Sequence, residues 1–167
     1  MENYDNLVKK YSKKIPYDLL LSTKEWLEKR RYILSRDQNR CKKCDKKGSL
    51  VEAELAGVKV LVRNTDGVIL QIHHKYYAIS NKVLSPPWDY DDDCFITLCL
   101  DCHKKTHEEE VIPIRDGDKE LDLNTLTTCL RCNGLGWLPK FSYHLGGVCF
   151  KCNGARYVEF SQKQEDN

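Results

Sequence analysis

Four of the five histidines of this chain fall in two short stretches, Ile72-His73-His74-Lys75 and Cys99-Leu100-Asp101-Cys102-His103-Lys104-Lys105-Thr106-His107. His103 and His107 are four residues apart, so on a helix both imidazoles leave the same face. A third nitrogen from His73 would complete a three-histidine cage with coordination positions still open, and an open metal site is a catalytic one. His74, the next residue along a strand, would face away from His73 and be left for another task. An imidazole titrates near neutral pH. It can accept a proton from water while a metal ion polarises a phosphate and stabilises the leaving oxygen, which is the chemistry of phosphodiester hydrolysis.

The cysteines imply how such a site would be held. Cys41 and Cys44 need two further ligands for a four-thiolate zinc site, and Cys99 and Cys102 supply them. Closing that site would pin the chain before His73 against the start of the helix bearing His103 and His107. The C-terminal part carries a second set in two copies of one pattern, Cys129-Leu130-Arg131-Cys132-Asn133-Gly134-Leu135-Gly136 and Cys149-Phe150-Lys151-Cys152-Asn153-Gly154-Ala155-Arg156. Glycines let such a knuckle turn tightly enough for backbone N–H groups to approach the sulfurs, so Cys129, Cys132, Cys149 and Cys152 form a second zinc site. Of the nine cysteines only Cys94 is then unassigned. The repeat resembles the Cys-x-x-Cys-x-Gly-x-Gly knuckle of DnaJ-type chaperones, fully in the first copy and with Arg156 in place of the last glycine in the second.

Composition limits the rest. With 167 residues, 31% of them charged, the chain has a modest supply of core, which suits small metal-stapled modules. No apolar run approaches the roughly 20 residues of a membrane span, and the N-terminus lacks the apolar core of a signal peptide. A cytoplasmic protein without membrane contact is expected, and there paired Cys-x-x-Cys spacings are metal ligands rather than disulfides. The net charge of +2 hides a basic N-terminal third, where Met1 to Lys47 holds 14 Lys and Arg against 7 Asp and Glu. Such a surface attracts phosphate backbones, and a solvated helix face has the same composition. Acidic runs at Asp89 to Asp93 and Glu108 to Glu110 either shape where a polyanion lies or are plain solvated charge.

The elements that must position these groups can be placed coarsely. A short helix is expected over Asn3 to Lys14, ahead of Pro16. A second starts at Ser22, because Ser22-Thr23-Lys24-Glu25 has capping-box spacing, and runs to Arg36-Asp37 with Trp26, Arg30, Ile33 and Leu34 at helical intervals. Val58–Val62 and Val68–Ile72 flank Asp66-Gly67 and are expected to pair as a β-hairpin that delivers His73 and His74. Phe95–Leu98 is a short strand or helix lead-in, and Cys102 to Glu110 a short helix. The expected organisation is a basic helical segment over 1–16, a main domain over 17–110, a linker over 111–126 marked by Pro113 and Gly117, a zinc-knuckle module over 127–160 and a tail over 161–167. His144 is an ordinary loop residue in this reading.

The run Trp26, Arg30, Ile33-Leu34, Arg36-Asp37, Cys41-x-x-Cys44, Ile72-His73-His74 and Thr97-Leu98-Cys99-x-x-Cys102-His103-x-x-x-His107 resembles the HNH endonucleases of the ββα-metal fold over roughly residues 17–110. The resemblance implies a small zinc-stapled α+β protein, in which a ββα-metal nuclease domain with N-terminal helices is joined to the C-terminal zinc module. It implies DNA as substrate, cut to 5′-phosphate and 3′-hydroxyl ends. His74 would be the general base, and His73, His103 and His107 would hold one divalent ion, Mg2+, Mn2+, Ni2+ or Zn2+, alongside the two structural zinc ions. Arg30, Arg31, Arg63, Lys75, Arg131 and Arg156 are the expected DNA contacts, and the zinc module is also a place for a protein partner. Two departures stand out: the family's middle Asn falls at Cys94, with Asn81 a neighbouring candidate for its role, and the chain from Cys44 to His73 is long. The alternative is a catalytically weak or inactive module that binds nucleic acid or protein through the same scaffold.

Overall fold

The structure, a computed structural model, describes residues 2–11, 15–55, 57–81, 83–141, 147–152 and 154–160, with backbone alone at 51–55, 58–61 and 139. His144 and the tail over 161–167 lie outside the described residues. In chain order the elements are α1 (Tyr4–Lys10), α2 (Tyr17–Leu20), α3 (Lys24–Arg36), β1 (Leu50–Leu55), β2 (Val58–Arg63), β3 (Leu70–His74), β4 (Tyr77–Ser80), β5 (Val83–Leu84), β6 (Phe95–Cys99), α4 (Leu100–Glu109), β7 (Ile114–Asp116) and β8 (Lys119–Glu120). This is a small α+β protein, as expected, and among the described residues no helix is long and apolar enough to cross a membrane.

Contacts divide the chain into two compact units, and the division differs from the expected one. A histidine unit holds Lys29–Lys75 and Asp91–Val111; a knuckle unit holds Met1–Glu28, Tyr76–Tyr90 and Ile112–Asn167. The expected linker over 111–126 is largely structured. β7 pairs in parallel with β4, Tyr77 opposite Ile114, and antiparallel with β8, giving one sheet in the order β5-β4-β7-β8. Pro113 and Gly117 mark the edges of β7 rather than a flexible joint, and Ile112 and Ile114 on either side of Pro113 are both buried. That pairing joins residues far apart in sequence, which local composition does not encode.

In the histidine unit the expected hairpin does not form. β2 pairs with β1, Leu55 opposite Val58, while β3 pairs antiparallel with β6, Leu70 opposite Cys99 and His74 opposite Phe95. Asp66-Gly67 forms a corner rather than a hairpin tip. Ser49 N–H donates to the Val68 carbonyl at 2.8 Å and Val68 N–H to the Lys47 carbonyl at 2.9 Å, so residues 64–69 lie against Gly48 and Ser49. The approach is close enough that a Cβ on Gly67 would sit 2.3 Å from the Gly48 carbonyl oxygen, which only glycine permits. β1 was hidden by Glu52, Ala53 and Glu54, poor strand formers, although its polar–apolar alternation was readable.

α3 starts one turn position later than the capping box suggests. Thr23, not Ser22, is the N-cap, accepting from Trp26 N–H at 3.4 Å, and Glu25 accepts the Tyr4 N–H at 3.1 Å, tying down the start of α1. The far end of α3 braces β6. The buried Asp37 carboxylate accepts Thr97 N–H at 3.0 Å, and Arg36 donates to the Phe95 carbonyl at 2.8 Å. Leu70 and Leu98 form a small core with Cys41 and Cys99, packed by Leu34, Val68 and Ile96. Two of its four central members are thiols, so the core and the cysteine cluster are one object.

Candidate metal centres

Each tetrad is assembled by backbone hydrogen bonds around its turns. At the N-terminal one, Asp45 N–H donates to the Cys41 carbonyl at 2.8 Å and Cys41 N–H to the Lys46 carbonyl at 3.0 Å, closing the knuckle. Lys42 N–H then donates to the Thr97 carbonyl at 2.9 Å, which places Cys41 and Cys44 beside Cys99 at the end of β6 and Cys102 in the first turn of α4. The ligand atoms lie within 4.8 Å of one another, with Cys44 and Cys99 sulfurs 3.7 Å apart. A tetrahedron with Zn–S near 2.3 Å has an S···S edge of about 3.8 Å. The donor set and spacing fit a structural zinc ion.

The C-terminal tetrad turns the sequence repeat into a pseudo-two-fold pattern. Cys129 N–H donates to the Arg156 carbonyl and Cys149 N–H to that of Gly136; Gly134 N–H donates to the Cys129 carbonyl and Gly154 N–H to that of Cys149, both at 3.3 Å. Cys132 and Cys152 sulfurs are 3.7 Å apart, and Gly136 N–H approaches the Cys132 sulfur at 3.3 Å. Donation from the Cys152 thiol, opposed by burial and helped by the Gly136 N–H, pulls Cys132 down to about 5, towards the thiolate that zinc requires. This set fits a second structural zinc ion, as the sequence implied.

Arg156 is repositioned by the structure. It occupies the place of the missing glycine with φ 71°, matching 69° at Gly136, and is only 6% exposed. Its guanidinium donates to the carbonyls of Gly134 and Ile112, both at 2.9 Å, which offsets a backbone strain of about 1 kcal/mol. The expected DNA contact is therefore an internal brace. Arg30 is corrected similarly: half-buried on α3, it donates to the Leu70 carbonyl at 3.0 Å, and burial lowers its pKa. Arg31, Arg63 and Lys75 are exposed, and Arg131 is exposed and stacked on Phe150.

The three histidines converge as expected. His73 comes from β3, His103 and His107 from successive turns of α4, and their ligand atoms lie within 4.8 Å. The Nε2 atoms of His103 and His107 are 3.1 Å apart, between the edges of about 3.0 and 3.4 Å that octahedral and tetrahedral metal–nitrogen geometries would set at about 2.1 Å. Burial, reinforced by mutual repulsion with His103 and His107, drives His73 down to about 2; burial and His107 take His103 to about 3. Both are held neutral, as metal-ligating imidazoles must be. The buried Nδ1 of His73 has no hydrogen-bond partner among the described residues, a cost of about 1–3 kcal/mol.

Sequence reasoning missed Gln71. Its Oε1 lies 2.5 Å from His103 Nδ1, so the amide oxygen accepts that N–H and leaves Nε2 facing His107. The signal was present: Gln71 is two residues before His73, so both side chains share one face of β3.

His74 is buried at 4% exposure, with its ring edge-on to Phe95 at 4.8 Å. Cys94 is buried in the turn just before β6, where its carbonyl accepts Lys75 N–H at 2.8 Å. Asn81 sits at a left-handed turn position, φ 51°, between β4 and β5 in the knuckle unit. Within the acidic tract, Asp92 pairs with Lys29 at 2.7 Å, so part of that charge is spent locally.

Compared with known proteins, the chain matches no family model, no curated protein and no solved structure.

Proposed function

We propose that the chain is a metal-dependent DNA endonuclease or nickase of the HNH type, with the histidine unit as its catalytic part. The observation that carries the reading is the convergence of His73, His103 and His107 beside a zinc-fitting cysteine clip, on a strand, strand and helix in sequence order β3, β6, α4. A divalent ion held by those imidazoles would polarise a phosphodiester and stabilise the leaving oxygen. The chain's own groups do the rest. Gln71 orients His103, the clip and the Asp37–Thr97 bond hold β6 against α3, and His74 accepts a proton from water. Being 4% exposed, His74 would have to act on a water enclosed with bound substrate rather than on bulk solvent.

That burial, together with a cysteine at the family's Asn position, favours a second reading, a module that binds through the same scaffold without cutting. One assay separates them. Supercoiled plasmid is incubated with wild type and His74→Ala in Mg2+, Mn2+ or Ni2+, each protein first shown to hold two zinc ions. Nicking by wild type alone supports the nuclease. Equal nicking by both proteins, or none by wild type in any metal, removes it.

A further inference from the structure

We propose that the two knuckle tips, Leu130-Arg131 and Phe150-Lys151, form a stacking surface for single-stranded DNA. The two tips hold equivalent positions of the repeat, each an apolar residue followed by a cation. The cysteines on either side are buried, yet Leu130 is 85% and Phe150 63% exposed, and Arg131 and Lys151 are exposed. Scattered exposed apolar residues need no explanation, but these two recur at one position of two clamped turns. The tips meet where the Arg131 guanidinium carbon lies over the Phe150 ring, 3.6 Å from its centroid.

Charge selects the occupant. From Leu123 to Val158 the chain has no Asp or Glu in 36 residues while carrying Arg131, Lys140 and Lys151 at the surface and Arg156 within, whereas the whole chain has 25 acidic residues in 167. A zinc tetrathiolate would contribute −2, which still leaves this stretch positive. An acidic peptide would satisfy the charge alone. A guanidinium over a phenyl ring extends a surface on which a base stacks, and its N–H groups are donors suited to phosphate. Duplex DNA hides its base faces, so the single strand fits this combination.

The inference rests on the DNA reading of the chain for the identity of its polymer, but on none of the histidines. It is tested on the full-length zinc-loaded protein by fluorescence anisotropy with fluorescein-labelled oligo(dT). Phe150→Ala is expected to weaken binding about tenfold or more, and Arg131→Ala with Lys151→Ala to weaken it and flatten its salt dependence by about one to two counterions. Phe150→Trp should restore affinity and show tryptophan quenching on binding. Absence of nicking by wild type in any metal, with Phe150-sensitive binding of oligo(dT) retained, would sink the catalytic reading and leave this one standing; nicking without Phe150-sensitive binding would do the reverse. Wild-type affinity in Phe150→Ala with two zinc ions retained overturns the proposal. So does poly-glutamate competing as well as oligo(dT), or a tip-dependent dimer that excludes the oligonucleotide.

Discussion

In the knuckle unit all four cysteines are 0–3% exposed and pack with Ile79, Ile114 and Phe160, whereas in the histidine unit Cys44 is exposed and Cys102 half-buried. The same donor set therefore serves two purposes. In the knuckle unit the tetrad is the centre of the core, and the sheet β5-β4-β7-β8 is built around it. In the histidine unit the tetrad straddles core and surface, Cys41 and Cys99 buried and Cys44 exposed, and it holds β6 and α4 together so that three imidazoles meet. The knuckle tetrad is enclosed by side chains such as Ile79, Leu84, Ile114, Tyr157 and Phe160, whereas only Cys41 and Cys99 of the other tetrad share a core with Leu70 and Leu98, so its remaining two thiols are open to water.

The contrast can be broken most forcefully by removing metal. Cys149→Ser is expected to abolish the knuckle unit's fold, since zinc binding in such modules is worth about 10 kcal/mol or more. Near-UV circular dichroism and a fall from two zinc ions to one per chain would register it. With intact protein and a chromogenic chelator, zinc should leave in two phases, the faster from the tetrad with exposed Cys44. A single phase would mean that the two tetrads are equivalent after all.

A smaller effect probes the brace in the histidine unit. Asp37→Ala removes the acceptor for Thr97 N–H and should cost about 2–3 kcal/mol in urea unfolding. Burial pushes the Asp37 pKa up, but hydrogen bonds from Arg36 and Thr97 outweigh it and hold the carboxyl below its ordinary 3.8. The unfolded chain thus takes up this proton first as pH falls. The stabilisation is complete above the unfolded pKa and lost as pH drops through the folded one, a decline that Asp37→Asn should lack.

Gln71 tests whether the imidazole cluster is organised as a metal site. Gln71→Leu is expected to weaken Co2+ or Ni2+ binding about 10- to 100-fold by calorimetry, and Gln71→Glu, which keeps an acceptor, to retain most of it. Equal loss in both variants would reduce Gln71 to a packing residue. The smallest effect is at the broken repeat. Arg156→Gly relieves the strain at φ 71° but deletes two bonds to carbonyls, and a net loss of about 1 kcal/mol in thermal unfolding is expected. A gain would show that the arginine is tolerated rather than used.

Much of this was legible in residue spacing. The i, i+4 pair His103 and His107, the four Cys-x-x-Cys pairs and the α3 periodicity depend on local geometry, because a turn of helix or a knuckle brings near neighbours together whatever the rest of the chain does. Metal stoichiometry adds a long-range constraint that is also readable, since thiols in pairs need a second pair. Strand partners follow no such rule. β3 paired with β6 and β7 with β4, the latter from more than thirty residues away, because each choice depends on which apolar faces the whole fold leaves to be covered. The same holds for Arg30 and Arg156, whose charge suggested a polyanion and whose surroundings supplied backbone carbonyls instead. The sequence by itself determined which atoms are able to bind metal and in what groups. Only the tertiary structure decided which tetrad is wholly buried and which is half open to water, which arginines face water, and that Gln71 stands behind His103, since burial and partner choice are properties of the whole packing and not of any local window.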